Sequence, residues 1–146
     1  MTPPLVSAAT WVLAGLFTGW TFAKRPWQQF ERPGVVTRLR MWDRRETYER
    51  LLFVRAWKDR LPEAGTWFGG ISKRSLPDAQ DGGLRRFAAE SMRAERVHLT
   101  LLLVVPLTAT WSRGWVLVAN VTFGLAINLP CIVVARYNRI RIAHLA

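Results

Sequence analysis

The clearest pattern along this chain is the separation of long apolar stretches by a long polar one. Residues 4–23 contain no charged residue and are followed directly by Lys24 and Arg25. A run of about 20 apolar residues is what a helix needs to cross the roughly 30 Å hydrocarbon layer of a bilayer. A cleavable signal peptide would carry its positive charges before the apolar stretch rather than after it. We therefore predict that residues 4–23 form a retained membrane-spanning helix.

Two further apolar stretches lie near the C-terminus, at residues 97–111 and 115–135. Residues 112–114 between them have turn chemistry, so the pair predicts a helical hairpin with a tight tip. Because residues 97–111 cover only about 22 Å at 1.5 Å per residue, the helix of this crossing must begin earlier, at about residue 84. Nothing in the sequence is expected to break that helix before Pro106.

The distribution of charge predicts the orientation in the membrane. The chain has 21 basic and 10 acidic residues, a net charge of +11, and most of the bases lie in residues 24–96, with three more in the tail at 136–146. The positive-inside rule places both segments in the cytoplasm. The prediction is a single-domain, all-α integral membrane protein of the cell membrane. It has three crossings, an external N-terminus and a cytoplasmic C-terminus.

The predicted topology also indicates which partners the basic residues bind. Bases next to a membrane face anionic lipid, so membrane lipid is the predicted partner and nucleic acid is not. The single cysteine, Cys131, excludes a disulfide within the chain. Self-association into a homo-oligomer stays open at this point.

The polar segment at residues 24–96 is predicted to contain interfacial helices. Asp43 and Glu46 have the spacing of a capping box. Apolar residues then recur at intervals of three or four over residues 48–55, which predicts an amphipathic helix of about four turns lying on the bilayer. Pro62 is expected to end it.

The helix that enters the membrane after residue 84 carries ionisable side chains. Glu90, Arg93, Glu95 and His98 share one broad face, and Glu95 and His98 lie about 60° apart around the helix. Ionisable groups at such a depth are costly and are commonly functional or paired. A salt-bridge ladder with an interfacial histidine is the alternative. The pair Glu95-x-x-His98 is only half of a di-metal motif, so no metal site is predicted.

The last apolar stretch carries a polar stripe of Asn120, Gly124 and Asn128, spaced by four residues. Small and amide residues on one face are typical of helix–helix packing. The stretch ends in polar residues at 136–139, at the same depth as His98. Both ends of the hairpin are therefore expected to converge on one interfacial cleft.

Three motifs follow one another along the chain. They are Trp-Lys-Asp-x-Leu-Pro-x-x-Gly at 57–65, Glu-x-x-Arg-Ala-Glu-x-x-His at 90–98, and Asn-Leu-Pro-Cys followed by Arg-Tyr-Asn-Arg at 128–139. Together they resemble the glycosyl-4,4′-diaponeurosporenoate acyltransferase family of carotenoid biosynthesis, over roughly residues 48–141. The resemblance implies an integral membrane enzyme that moves a fatty acyl group onto a sugar hydroxyl of a glycosylated lipid. In that family the acceptor is a glucosyl carotenoid ester. The arginine-rich and alanine-rich composition suggests a high-GC bacterium, in which another glycolipid acceptor is an open alternative.

Acyl transfer from a thioester to an alcohol needs a base, donors for the oxyanion and alignment of the reactants. His98 is the predicted general base, with Glu95 or Glu90 orienting it. The candidate oxyanion donors are Arg93, Asn128 and Asn138. No serine or cysteine nucleophile with a plausible partner stands out, which favours direct transfer over an acyl-enzyme.

Substrate recognition is assigned to the cytoplasmic face, with acyl-CoA as the predicted co-substrate, a lipid-linked sugar as the acceptor and no bound cofactor. Bases interleaved with glycines and aromatics suit the phosphates of the donor, although the same loop also fits simple anchoring at the membrane surface. The competing class of function is a non-catalytic membrane subunit or lipid-binding scaffold. The candidate substrate-binding residues are Trp57, Lys58, Arg60, Lys73, Arg74, Asn128, Arg136, Tyr137, Asn138 and Arg139.

Overall fold

A computed structural model of the chain describes residues 2–62 and 82–145, and within them the protein is helical and has no strand. This confirms the predicted all-α class. Three short helical turns lie in the polar segment, at Trp27–Phe30, Thr47–Leu51 and Lys58–Arg60. The α-helices are α1 (Pro3–Ala23), α2 (Val54–Trp57), α3 (Gly83–Leu102), α4 (Val104–Thr108) and α5 (Gly114–Ala143).

Two of these helices are long and apolar enough to cross a membrane. They are α1 and α5, and few residues in the apolar part of either helix are buried against the rest of the chain. Leu13 and Phe17 of α1, for example, are 65% and 66% exposed. Outward-facing apolar helices are compatible with a membrane protein, because lipid would cover this surface.

The predicted middle crossing differs from the structure. α3 ends at Leu102, four residues before Pro106, and the chain turns at Leu103 before α4 begins. Proline has no N–H to bond the carbonyl four residues earlier and its ring clashes there, so its effect falls on Leu102. Neither α3 nor α4 is among the membrane-length helices of the described residues. The prediction of three such helices is therefore wrong by one.

The predicted four-turn amphipathic helix is also wrong. It is interrupted at Phe53, which adopts a left-handed conformation with φ of 49°. The interruption lets both Tyr48 and Val54 pack into one buried cluster with Tyr137 of α5. Six residues apart on a continuous helix, those two side chains would lie about 120° apart. Asp43 accepts from the backbone N–H of Arg40 behind it, 2.7 Å away, and does not cap a helix ahead.

The predicted hairpin tip is confirmed. Residues 109–113 connect α4 to α5, and Gly114 opens α5 with φ of 53°. α3 then packs against the C-terminal half of α5. The loop after α1 lies on α3, where Phe30 is buried against Ala89 and Met92.

Candidate functional site

A buried carboxylate joins α3 to α5 at the cytoplasmic end predicted for the bundle. Glu95 is fully buried, and its Oε1 accepts from Nε of Arg136 at 2.8 Å. Its Oε2 accepts from Nη1 of Arg139. Arg136 and Arg139 lie three residues apart on α5, so they present both guanidinium groups to the same point. Each carboxylate oxygen therefore has a cationic donor.

The same two arginines hold the loop before α2. Nη2 of Arg136 donates to the carbonyl of Val36 at 2.7 Å, and Nη2 of Arg139 donates to the carbonyl of Thr37 at 2.6 Å. Asp43 of this loop lies 3.5 Å from Nη1 of Arg136. We call Glu95, Arg136, Arg139 and Asp43 the charged cluster. It fastens two helices and one loop together.

Tyr48 extends the charged cluster toward α2. Its hydroxyl donates to Oδ1 of Asp43 at 2.6 Å. Burial of the phenol, and then this hydrogen bond, raise the pKa of Tyr48 above its ordinary value. Tyr48 therefore stays a neutral donor, which suits a hydroxyl facing a carboxylate.

His98 lies one turn beyond Glu95, and its partner in the structure is an amide. Nδ1 of His98 is 2.9 Å from Oδ1 of Asn128, and Nδ2 of Asn128 donates to the carbonyl of Gly124 at 2.8 Å. The Gly124 carbonyl can only accept, so Asn128 must turn its NH2 group toward it. The amide oxygen then faces the imidazole, and Nδ1 of His98 must carry the proton. The lone pair of the neutral ring is left on Nε2.

This geometry changes the predicted orientation of the base. Glu95 is bound by two arginines rather than by His98, and Glu90 forms an ion pair with Arg93, with 2.5 Å between Oε2 and Nη2. Nδ1 of His98 is held by the amide oxygen of Asn128. Asn128 is itself almost fully buried, which fixes the amide in place.

The polar stripe of α5 packs against three helices in turn. Asn128 meets α3 through His98, and Gly124 lies under α1 and α4. A Cβ at Gly124 would lie 2.5 Å from Cγ2 of Val105 and 2.8 Å from the indole of Trp11. The predicted helix-packing role of the stripe is confirmed, because only glycine lets these side chains approach so closely.

The stripe ends in a neutral polar cluster at the other end of the bundle. Oδ1 of Asn120 accepts from the indole N–H of Trp11 at 3.0 Å. Its Nδ2 donates to the hydroxyl oxygens of Ser7 and Ser112, at 2.9 and 3.1 Å. Trp111 donates to Ser7 at 3.2 Å. We call Ser7, Trp11, Trp111, Ser112 and Asn120 the neutral cluster, and it joins α1 to the hairpin tip.

An open basic cavity lies beside the end of α5. Oε1 of Glu49 accepts from the hydroxyl of Tyr137 at 2.6 Å and from Nε of Arg45 at 2.8 Å. These two hydrogen bonds, with that of Tyr137 the larger effect, lower the pKa of Glu49. The cavity has a volume of about 310 Å³, and its lining residues are Arg45, Arg55, Lys58, Asp59, Tyr137 and Arg141.

The structure does not bring all of the predicted site residues together. His98, Asn128, Glu95, Arg136 and Arg139 come together where α3 meets α5, and Tyr137 and Lys58 face the basic cavity instead. Trp57 packs under the cavity region, where its indole donates to the Leu52 carbonyl, and Arg60 is exposed. Asn138 is fully buried. Lys73 and Arg74 lie outside the described residues.

Several residues of these sites were missed from the sequence. Asp43 was considered only as a helix cap, although it faces Arg136 across more than 90 residues of chain. Arg45, Arg55 and Arg141 of the cavity were not considered. The spacing of four between Arg45 and Glu49 was a usable signal for the first of them, because residues four apart on a helical turn are neighbours. Among the described residues, no three His, Cys, Asp or Glu side chains are grouped as metal ligands would be.

Comparison with known proteins agrees with the motifs. A family model described as glycosyl-4,4′-diaponeurosporenoate acyltransferase matches residues 19–146. A protein of Staphylococcus haemolyticus (strain JCSC1435) with that name is 25% identical over 142 residues, which cover 96% of this chain and 82% of the relative. No solved structure matches the chain. Since the family model covers most of its length, this chain belongs to the glycosyl-4,4′-diaponeurosporenoate acyltransferase family and is an acyltransferase.

Proposed function

We propose that the protein transfers a fatty acyl group from an acyl thioester, acyl-CoA, to a sugar hydroxyl of a glycosylated lipid or carotenoid. The family name and the relative's name describe an acyltransferase of a glycosyl diaponeurosporenoate, which supports an acceptor of this class. Membership of this family favours the enzyme over the alternative of a non-catalytic scaffold.

The observation that carries the proposal is the hydrogen-bonded chain from Gly124 through Asn128 to His98. It holds the imidazole in the tautomer whose Nε2 accepts a proton. A neutral imidazole is the form a general base needs near neutral pH. Asn128 fixes the ring through a neutral amide, with 2.9 Å between its Oδ1 and Nδ1 of His98.

In the proposed reaction, Nε2 of His98 takes the proton of the sugar hydroxyl as its oxygen attacks the thioester carbonyl. The new ester C–O bond forms and the C–S bond breaks, and the electron pair leaves with the sulfur. The imidazolium then returns the proton to the departing thiolate, so the free thiol leaves and the base is regenerated. This direct route needs no acyl-enzyme intermediate. Arg93, predicted from the sequence as a donor to the oxyanion, is paired with Glu90 in the structure.

For the membrane we propose that α1 and α5 cross the bilayer and that the α3–α4 unit enters it from the cytoplasmic side. The N-terminus is then outside and the charged cluster is at the cytoplasmic interface. The support is the apolar exposure of α1 and α5 together with the basic residues that follow α1 and those in the last turns of α5. An acceptor held in the bilayer and a water-soluble donor would both reach His98 at this level.

The test is transfer by the purified full chain in lipid nanodiscs, with an acyl-CoA and a glycosylated carotenoid ester, and detection of the acylated product by mass spectrometry. His98→Gln should lower turnover by about 100-fold or more, the usual range for a lost general base. His144→Gln is the matched control, because His144 is exposed in the tail, and it should keep wild-type turnover. Full transfer by His98→Gln would overturn the assignment of the base.

A further inference from the structure

The basic cavity has a chemistry that the acyl-transfer step does not use. Four cationic side chains and one carboxylate line it. It is also remote from the base. Tyr137 follows Asn128 by nine residues on α5, which is about 14 Å along the helix and about 180° around it. An anion bound in the cavity therefore does not contact His98.

Two of the cations are held in place by protein contacts. Arg45 is fixed by Glu49, which also accepts from Tyr137. The guanidinium carbon of Arg141 lies 5.7 Å from the centre of the Tyr137 ring. Arg55 is exposed and forms no ion pair within residues 2–62 and 82–145. Planar guanidinium groups held in this way suit two-point hydrogen bonding to phosphate oxygens.

The chain segment that carries two of the cavity arginines, Arg45 and Arg55, also exposes apolar side chains. Leu51, Leu52 and Phe53 lie between cavity residues 45 and 55 in the chain, and they are 73%, 43% and 65% exposed. The left-handed conformation of Phe53 is unusual for a bulky residue and turns the chain at this point. Exposed apolar side chains beside clustered arginines are typical of a surface lying at the boundary between acyl chains and headgroups. Phosphate groups of amphiphiles lie at that boundary.

We propose that this cavity binds a phosphate group carried by an amphiphile. The two sources of that chemistry are the diphosphate of a coenzyme A thioester and the phosphate of an anionic lipid headgroup. The first source rests on the proposed function, because it makes the cavity the recognition site for the acyl donor. The long pantetheine arm of coenzyme A would span the distance between the cavity and His98. The second source is independent of acyl transfer.

The experiment compares two probes on the purified full chain. The first is coenzyme A, whose binding affinity is measured by titration against the protein in phosphatidylcholine nanodiscs. The second is phosphatidylglycerol, which replaces part of the phosphatidylcholine while thermal stabilisation of the protein is measured. The wild type should respond to at least one probe. The double variant Arg55→Gln, Arg141→Gln should weaken that response about tenfold or more, since charge-assisted hydrogen bonds to phosphate are lost.

Arg50→Gln is the matched control, because Arg50 is exposed in the same segment but does not line the cavity, and its response should stay within about twofold of wild type. Arg55→Gln alone keeps the test valid if the double variant fails to fold. A response to coenzyme A identifies the donor as the source, and a response to phosphatidylglycerol identifies the headgroup. The proposal is overturned if the wild type responds to neither probe, or if cavity and control variants behave alike. His98→Gln should bind the probe normally, so failure of the base and failure of the cavity are distinguishable.

Discussion

The two ends of the helical bundle are both joined by buried polar side chains, but they use different chemistry. The neutral cluster around Asn120 uses hydroxyls, an amide and two indoles. The charged cluster uses Glu95 between Arg136 and Arg139. Neutral hydrogen-bonding groups are far cheaper to bury than ions. The charged end is tolerated because each oxygen of Glu95 has a cationic donor, and the same arginines also donate to backbone carbonyls.

His98 stands between these two ends. Asn120, Asn128 and Arg136 follow one another along α5 in steps of eight residues, or about 12 Å. The side chains that contact α5 at these three levels are therefore neutral at Asn120, a titratable histidine at Asn128 and a carboxylate at Arg136. The comparison predicts that the two ends respond differently to substitution.

The largest effect is expected from Glu95→Gln. It leaves two arginines near a buried position without their carboxylate, and removing one partner of a buried ion pair typically costs about 3–5 kcal/mol. The free energy of unfolding, measured by denaturant titration in detergent, should fall by that amount. Glu46→Gln, at an exposed position, is the control. A loss no greater than the control's would mean that the charged cluster does not fasten the bundle.

A smaller loss is expected at the neutral end from Asn120→Val. The indole N–H of Trp11 loses its acceptor and the hydroxyl of Ser7 loses one of its donors, and an unsatisfied buried polar group costs about 1–3 kcal/mol. Unfolding measured at low and high salt should give the same loss, because no ion is involved. A loss as large as that of Glu95→Gln would contradict the contrast between the ends.

Gly124→Ala tests the packing between the two clusters. The new methyl would meet Val105 and Trp11, and overpacking typically costs about 1–3 kcal/mol. Part of that is offset because alanine favours a helix by up to about 1 kcal/mol over glycine. Gly15→Ala in α1 is the control with the opposite expected sign, since nothing lies within 4 Å of its Cβ position. Equal melting temperatures for the two variants would show that the helices do not approach closely at Gly124.

The smallest effect is expected from pH at Glu49. Its pKa is lowered in the folded protein by hydrogen bonds from Tyr137 and Arg45. The stabilisation is therefore present above the ordinary carboxyl range and is lost as pH falls through the folded value. Melting curves should show that Glu49→Gln loses less stability than wild type on acidification from neutral pH to about pH 4. Identical acid sensitivity of the two proteins would count against these hydrogen bonds.

What the sequence predicted well is what helical periodicity determines. The spacing of four in Asn120, Gly124 and Asn128 fixes one face of α5, and any helix in this place would bury that face. The hairpin tip follows from local turn chemistry at residues 112–114. The motifs at 57–65, 90–98 and 128–139 identified the family before any contact was known.

What the sequence did not predict depends on contacts between distant segments. Many arginines were available to Glu95, and no local pattern selects Arg136 and Arg139 from among them. Asp43 faces Arg136 only because the loop before α2 folds onto α5. The sequence predicted that the helix continues to Pro106, whereas α3 ends at Leu102. The helix ends earlier because a proline removes the hydrogen bond to the carbonyl one turn before itself. The turn at Phe53 reflects the burial of Tyr48 and Val54, which is a tertiary effect.

The central claim is that Asn128 holds His98 with its proton on Nδ1 and its lone pair on Nε2. The most direct test is nitrogen NMR of the full chain labelled with ¹⁵N-histidine, in nanodiscs at a pH where the ring is neutral. The chain has two histidines, so His144→Gln assigns the His98 signals. The account predicts a protonated Nδ1 and an unprotonated Nε2, and a mixture of tautomers in Asn128→Leu. A wild-type ring with its proton on Nε2 would contradict it.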